Sequence, residues 1–161
     1  MERKMRRFKQ ELPDTESQRI LKVGQSAVWA VSGDDNYPYA VPVNYVYDGT
    51  VIYVHCARQG HKIDSIIRNP KCSMCIVEKD DVVPDEFTSY FRSVILFGKA
   101  EIVEDETVRL KALQLLCDKY SPGVDPKDEI EKFLKTVCIV RICIDSISGK
   151  EAIELTRQRK I

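Results

Sequence analysis

Both histidines of the chain lie in one short segment, HCARQGHKID, which runs from His55 to Asp64. The segment follows the apolar run VIYV, which is typical of a strand, and it leads into HKIDSIIRN, whose apolar residues have helical spacing. It therefore predicts a turn from a strand into a helix. Backbone N–H groups at a helix start carry partial positive charge and bind anions, phosphate above all.

Three basic side chains would surround this helix start, namely Arg58, His61 and Lys62. Basic residues oppose the helix dipole at an N-terminus unless an anion lies between them. Gly60 would let the backbone approach a ligand closely, because glycine carries no Cβ. The segment thus predicts a phosphate-binding turn, and the alternative is a solvated turn whose charges fall together by chance.

Other chemistry is less well supported by the spacing. His55 would lie on a strand and His61 on the following helix, without a further ligand at metal spacing, so we predict no metal site. Cys56 and His55 are neighbours on a strand and face opposite ways, which excludes a nucleophile and base pair. The C-x-x-C of residues 72–75 also lies in a predicted buried strand. No catalytic residue is assigned, and any chemistry must come from a bound cofactor.

The surrounding segments predict an α+β fold, with six strands and helices inserted between them in a β-barrel. Asp48-Gly49 indicates a hairpin turn, and the first three strands are expected to pair as consecutive antiparallel neighbours in the sheet. Gly98 indicates a bend or a bulge in its strand. The first helix is expected to begin at Asp14 or Thr15 as N-cap. Strands are predicted at 26–33, 39–47, 51–56, 71–79, 91–105 and 136–145, and helices at 14–23, 61–69, 106–120 and 125–135, with an acidic turn at 80–86.

Pro42 lies in the middle of the second predicted strand, where it offers no N–H group to a neighbouring strand. The strand is therefore expected to be an edge strand or to carry a bulge at this point. Backbone groups near Pro42 would then be free to bond a planar ligand that has its own donors and acceptors. A simple edge strand without a ligand is the alternative.

The composition predicts a single domain over residues 1–161. Because 25 basic and 25 acidic side chains cancel, no net field points to nucleic acid or to an anionic membrane as partner. The basic segments at the two ends, MERKMRRFK and TRQRK, are interpreted as solvated tails. The sequence has no apolar leader or membrane-spanning run, so we expect a cytoplasmic protein whose six cysteines are reduced.

Several segments together resemble a known family. The run YAVPVNYVYDGTVIYVHCARQGHKIDSIIRNPKCSM, followed by FRSVILFGKAEIVED and a helix, is similar to the FMN-binding split β-barrel proteins related to pyridoxamine 5′-phosphate oxidase. Within them the chain most resembles the branch named for nitroimidazole resistance (Nim). The resemblance implies a six-stranded antiparallel split β-barrel with peripheral helices. It also implies a homodimer with one FMN per subunit in the groove between the chains.

The resemblance implies roles for individual residues as well. One strand would line the flavin ring through backbone groups, the turn would hold the ribityl phosphate, and one serine would reach across from the partner chain. These cofactor-binding residues are, in that order, Val41, Pro42, Val43 and Asn44, then His55, Cys56, Ala57, His61 and Lys62, and finally Ser93.

The function expected from this resemblance is that of an FMN-dependent oxidoreductase. Electrons would pass from a reduced nicotinamide, NADH or NADPH, to a small oxidised acceptor such as a nitroaromatic compound. The alternative is a protein of the same fold that binds FMN, or another phosphate-bearing or planar ligand, without turnover. A fold retained with an empty site is a third possibility, since fold does not fix function.

Overall fold

The computed structural model describes residues 4–159, which form one antiparallel sheet of seven strands with five helices around it. Residues 1–3 and 160–161, the outermost parts of the two basic ends, lie outside the described residues. The strands are β1 (Ala27–Ser32), β2 (Pro38–Val43), β3 (Val46–Tyr47), β4 (Val51–Ala57), β5 (Lys71–Val83), β6 (Thr88–Ile102) and β7 (Val137–Glu151). The helices are α1 (Asp14–Val23), α2 (His61–Arg68), α3 (Glu106–Tyr120), α4 (Lys127–Thr136) and α5 (Ile153–Arg159).

The strands are arranged in the order β2-β1-β5-β6-β7-β4-β3, so β2 and β3 form the two edges and the sheet of the described residues is not closed. The sheet nevertheless curves around one core, because Trp29 of β1 and Val54 of β4 belong to the same buried cluster. The predicted α+β class is confirmed. The expected run of three neighbouring strands is wrong, because β4 pairs with β3 and β7 whereas β2 pairs with β1.

The prediction of six strands is also wrong, because the single strand expected at 39–47 is two strands, β2 and β3, separated by a corner at Asn44 and Tyr45. Side chains of α3 satisfy the backbone of this corner. The N–H group of Tyr45 donates to the Tyr120 hydroxyl at 3.0 Å, and the Tyr45 carbonyl accepts from Lys119 Nζ at 2.8 Å. A backbone that is bonded in this way does not need a strand partner, so the chain can change direction.

Other predicted elements agree with the structure to different degrees. The helices at 14–23 and 106–120 have the predicted bounds, but the N-cap of α1 is Pro13 rather than Asp14 or Thr15. The acidic turn predicted at 80–86 is shorter, since β5 and β6 extend toward each other as a long hairpin. Gly98 lies at a register shift between β6 and β7, as predicted, and a Cβ there would meet the Cys143 carbonyl oxygen.

The core has two layers, one inside the curved sheet and one between the sheet and α3. Side chains of β4 alternate between these layers, so Val54 packs inside the sheet and Tyr53 packs toward Leu113 and Leu116. Because of this alternation, neighbouring residues at the end of β4, such as His55 and Cys56, have side chains on opposite sides of the sheet. None of the helices within residues 4–159 is long and apolar enough to cross a membrane.

Candidate functional site

The predicted turn from strand to helix is present, because β4 ends at Ala57 and α2 begins at His61. Gly60 precedes the helix with φ of +119°, a conformation that glycine adopts readily and other residues do not. In the described part of the chain, no side chain caps this helix start. The first N–H groups of α2 are therefore available to an anion, and a Cβ at Gly60 would meet no described atom within 4 Å. We call residues 55–62 the cradle.

Lys62 and Cys56 interact through the charge of the lysine. Contact with the Cys138 thiol, followed by burial, raises the pKa of the Cys56 thiol, and the charge of Lys62 acts in the opposite direction. The side chain of Arg58 is directed elsewhere, because its Nη2 donates to the Lys135 carbonyl at 3.0 Å. The charge of Lys62 thus acts on a residue of the cradle, whereas the side chain of Arg58 is bonded to the backbone at Lys135.

His61 connects the cradle to β2. Its imidazole stacks on the Tyr39 ring, with centroids 4.0 Å apart and planes inclined by 23°. Its Nε2 lies 3.8 Å from Asp34 Oδ2, and Asp34 also pairs with Arg68 at 2.7 Å. The start of α2 is therefore held beside the strand that carries Pro42. Tyr39 and Asp34 were not predicted from the sequence, since they lie more than 20 residues before their partners.

His55 and Cys56 face opposite sides of β4, as the alternation of a strand requires. Cys56 packs against the core inside the sheet, whereas His55 lines a cavity of about 270 Å³ under α3. Partial burial lowers the pKa of the His55 imidazole. The cavity brings His55 together with Asn44, and its other lining residues are Leu113, Leu116, Cys117, Tyr120, Ser121 and Phe133.

Strand β2 is an edge strand of the described sheet, as Pro42 indicated. Val41 and Val43 are half-buried, whereas Pro42 is exposed on the side of the sheet that points away from the inner core, opposite Val28 of β1. Beyond the strand end, Asn44 Nδ2 donates to the Gln25 carbonyl at 3.3 Å. The backbone edge that was expected to line a planar ligand is therefore present next to the cradle.

Ser93 lies on β6, away from the cradle residues in the sheet order. Its side chain points to the same side of the sheet as that of Ile95, away from the inner core, and its register partner on β5 is Val77. Arg92, the residue before it, pairs with Glu151 at 3.1 Å and with Glu78 at 3.2 Å. Within one chain the structure does not bring Ser93 to the cradle.

An exposed apolar surface covers the outer side of the central strands. Four large apolar side chains contribute to it, namely Val28 of β1, Val77 of β5, and Ile95 and Phe97 of β6. They are 43%, 57%, 42% and 56% exposed, respectively. We call these residues the outer face. Their alternation along the strands was visible in the sequence, but it could not show which side of the sheet would be uncovered.

The comparisons with known proteins identify a family. The model of the family described as pyridoxamine 5′-phosphate oxidase matches residues 13–151. A search of curated protein sequences found no significant match.

Solved structures share the fold. A candidate 5-nitroimidazole antibiotic resistance protein from Bacteroides thetaiotaomicron is 21% identical, with 88% of this chain and 86% of that chain covered and a TM-score of 0.74. A conserved hypothetical protein from Mycobacterium tuberculosis is 19% identical, with 98% and 94% covered and a TM-score of 0.81. A FAD-binding protein from Mesorhizobium loti is 25% identical, with 88% and 96% covered and a TM-score of 0.67.

Proposed function

Because the chain belongs to the pyridoxamine 5′-phosphate oxidase family, we propose that it is a flavoprotein that binds FMN and acts as an oxidoreductase. Electrons would come from a reduced nicotinamide and pass to a small oxidised acceptor of the nitroaromatic kind. The observation that carries this proposal is the position of an uncapped helix start, with Lys62 beside it, next to the exposed edge of β2. These two features match the two parts of FMN, a phosphate and a planar ring.

The residues present fit the phosphate. The N-terminus of α2 offers N–H donors and partial positive charge, Gly60 leaves open space for a bulky group, and Lys62 adds a full charge. His55, Cys56, Ala57 and His61 would complete the proposed phosphate site, and at most one of the side chains of His55 and Cys56 would contact the phosphate, because they face opposite sides of β4. His61 would act mainly by position, because its stacking on Tyr39 fixes where α2 begins.

The residues of β2 and the corner after it fit the ring. A flavin ring has donors and acceptors along one edge, and an edge strand offers unpaired N–H and C=O groups of matching kind. Val41, Pro42, Val43 and Asn44 would contact the ring through this backbone. Pro42 contributes its apolar surface rather than a donor, since proline has no N–H group.

When it is bound, FMN would supply the hydride chemistry, and the protein would supply orientation and exclusion of water. Lys62 and the helix start would hold the phosphate, and the edge of β2 would fix the tilt of the ring. His55, with its lowered pKa, would present a neutral imidazole at pH 7 to the cavity that it shares with Asn44. That cavity, of about 270 Å³, would admit a small acceptor.

We further propose that the protein is a homodimer in which the outer face is the interface. Pro42 lies opposite Val28, Val28 opposite Cys75, and Cys75 opposite Ile95, so β2 joins this face in one continuous row. A second copy on the face would cover the outward side of β2 and would place its own Ser93 near that strand. Exposed apolar surface of this kind marks an interaction site.

The first experiment purifies the protein and identifies any flavin released on denaturation. We expect a yellow protein that releases FMN. Release of FAD would support the proposed ring and phosphate contacts but would change the identity of the cofactor. Release of a different phosphate-bearing ligand would support only the proposed phosphate site in the cradle. A colourless protein that takes up neither flavin would contradict the proposal.

The second experiment separates an enzyme from a carrier. Anaerobic addition of NADH or NADPH should bleach the flavin absorbance, and a nitroaromatic acceptor should restore it. Flavin that is bound but stays oxidised with both nicotinamides would support the alternative function, which is flavin binding without turnover.

A further inference from the structure

The register of β4 and β7 places two cysteines directly opposite each other, Cys56 and Cys138. Directly opposite residues in an antiparallel pair have Cα atoms about 4.5 to 5.5 Å apart. Disulfides form across Cα distances of about 4.4 to 6.8 Å. Both side chains belong to the inner layer of the core, so they point to the same side of the sheet. The two thiols can therefore be joined without moving either strand far.

This arrangement distinguishes the pair from the other cysteines, all of which lie within residues 4–159. Cys72 is opposite Val31 and Gly98, Cys75 is opposite Val28 and Ile95, and Cys143 is opposite Val51 and Lys99. Cys117 lies on α3 and lines the cavity that contains His55. In the described sheet, only Cys56 and Cys138 face another cysteine.

The surroundings of Cys138 favour reaction. Proximity to the Cys56 thiol lowers the pKa of Cys138 against the effect of burial, and the charges of Arg58 and Arg109 lower it further, while Glu104 opposes them. The Cys138 sulfur also lies 3.8 Å from the Ile139 carbonyl oxygen. The two guanidinium groups are held in place, because Arg58 donates to the Lys135 carbonyl at 3.0 Å and Arg109 to the Val137 carbonyl at 3.2 Å. The thiolate is the reactive form of cysteine.

A cleft lies beside Cys138. The cleft has a volume of about 180 Å³, and three charged residues, Arg58, Glu104 and Arg109, line it together with the apolar Ile102, Val103 and Val137. Cys138 is only 7% exposed, so a reagent that reaches it must be small, and the charged side chains of the cleft favour a polar one. Hydrogen peroxide meets this requirement of size and polarity.

We propose that Cys56 and Cys138 form a dithiol that hydrogen peroxide oxidises reversibly to a disulfide. The Cys138 thiolate attacks one peroxide oxygen, the O–O bond breaks, and the departing hydroxide takes up a proton and leaves as water. The resulting sulfenic acid on Cys138 is then attacked by the Cys56 sulfur, which forms the S–S bond and releases a second water. Two thiols are oxidised and one peroxide is reduced. A small dithiol reverses the reaction by thiol–disulfide exchange.

The direct test is peptide mapping of the wild-type protein, and it does not depend on flavin or on any activity. The reduced, folded protein is treated with an equimolar amount of hydrogen peroxide, quenched in acid, and alkylated after unfolding. We expect a mass lower by two hydrogen atoms, four alkylated cysteines and linked peptides containing residues 56 and 138. Dithiothreitol should restore six alkylated cysteines.

Two variants and a control test the order of the steps. When Cys56→Ser is treated with peroxide and then unfolded in the presence of dimedone, Cys138 should be labelled, since its sulfenic acid has no partner. In Cys138→Ser, the link should be absent and Cys56 should stay alkylatable. Cys117→Ser should form the link as the wild type does. The proposal is overturned if wild-type protein keeps six alkylatable thiols after peroxide, or if the linked peptides contain other cysteines.

Discussion

Lys62 is the residue on which cofactor binding should depend most strongly. It lies in the first turn of α2, and its charge acts inside the cradle. Lys62→Ala should weaken FMN binding by more than about tenfold, because a charge-assisted contact contributes about 1.5 to 3 kcal/mol. The dissociation constant can be measured by titrating the apoprotein and following the flavin absorbance or fluorescence.

Lys71→Ala is the matched control for this prediction. Lys71 is an exposed lysine just beyond the other end of α2, so its removal lowers the net charge equally without touching the cradle. The FMN affinity of this variant should equal that of the wild type. Equal affinities for the wild type and Lys62→Ala would show that the phosphate is held elsewhere.

Lys119 should give the stability of the protein a pH dependence. Partial burial lowers its pKa to about 8, whereas the ordinary lysine value is 10.5. Between these two values the unfolded chain holds a proton that the folded protein does not, so the contribution of Lys119 to the free energy of unfolding should rise with pH from about 8 toward 10. Urea unfolding at several pH values measures this slope.

Two substitutions identify the source of that slope. Lys119→Gln and Lys119→Arg both remove a group that titrates in this range, and arginine also keeps the positive charge. Between pH 8 and 10 the slope of the free energy of unfolding against pH should be less positive in both variants than in the wild type, because they lack the rising contribution of Lys119. A slope that is the same in all three proteins would mean that Lys119 is charged in the folded state throughout this range.

At the scale of elements, the corner between β2 and β3 depends on α3. The Tyr120 hydroxyl accepts from the Tyr45 N–H at 3.0 Å, and its single proton is within reach of two carbonyl oxygens, that of Gln25 at 2.7 Å and that of Tyr45 at 2.9 Å. Tyr120→Phe would leave a partly buried N–H group without this partner and should lower the free energy of unfolding by about 1 to 3 kcal/mol. Urea unfolding at pH 7 tests this value.

Tyr47→Phe provides the comparison, because it also removes one tyrosine hydroxyl. That hydroxyl makes a single exposed bond, to the Gly49 carbonyl at 2.8 Å. The change in the free energy of unfolding should stay within about 0.5 kcal/mol. If the two variants are equally stable, the corner is held by Lys119 and by packing rather than by the Tyr120 hydroxyl.

The elements that could be predicted from the sequence are those specified by local patterns. The span of α3 follows from the spacing of its own apolar residues, and the turn before β4 follows from Asp48 and Gly49, whose φ is +101°. The corner at Tyr45 could not be predicted in this way, because its bonding partner Tyr120 is 75 residues away along the chain. The same holds for the stacking of His61 on Tyr39.

In the candidate site, too, features set by neighbouring residues could be predicted and features set by distant residues could not. The cradle could be predicted because strand, glycine and helix follow one another within a few residues. That Arg58 is directed toward Lys135 rather than into the cradle depends on α4, which begins more than 60 residues later. The residue roles implied by the family resemblance remain predictions that the experiments above test.

At the scale of the whole molecule, the outer face should control assembly. Phe97→Glu would place a charge in the middle of this apolar surface and should convert a dimer into a monomer, since an unpaired charge in an interface is costly. Sedimentation equilibrium measures the mass. FMN affinity should fall in the same variant, because the proposed cofactor site lies between the two chains.

Val124→Glu is the control for assembly. Val124 is 66% exposed in the segment between α3 and α4, away from the outer face. This variant should remain dimeric and should bind FMN as the wild type does. A wild-type protein that is monomeric at all concentrations would contradict the proposed interface.

The central claim is that the cradle holds the phosphate of a flavin, and a comparison of two flavins tests it most directly. FMN and riboflavin share the ring and the ribityl chain, and only FMN carries the phosphate. Titration of the apoprotein with each should show that FMN binds more than about tenfold more tightly, since one charge-assisted contact alone is worth this much. Equal affinities for FMN and riboflavin would contradict the account.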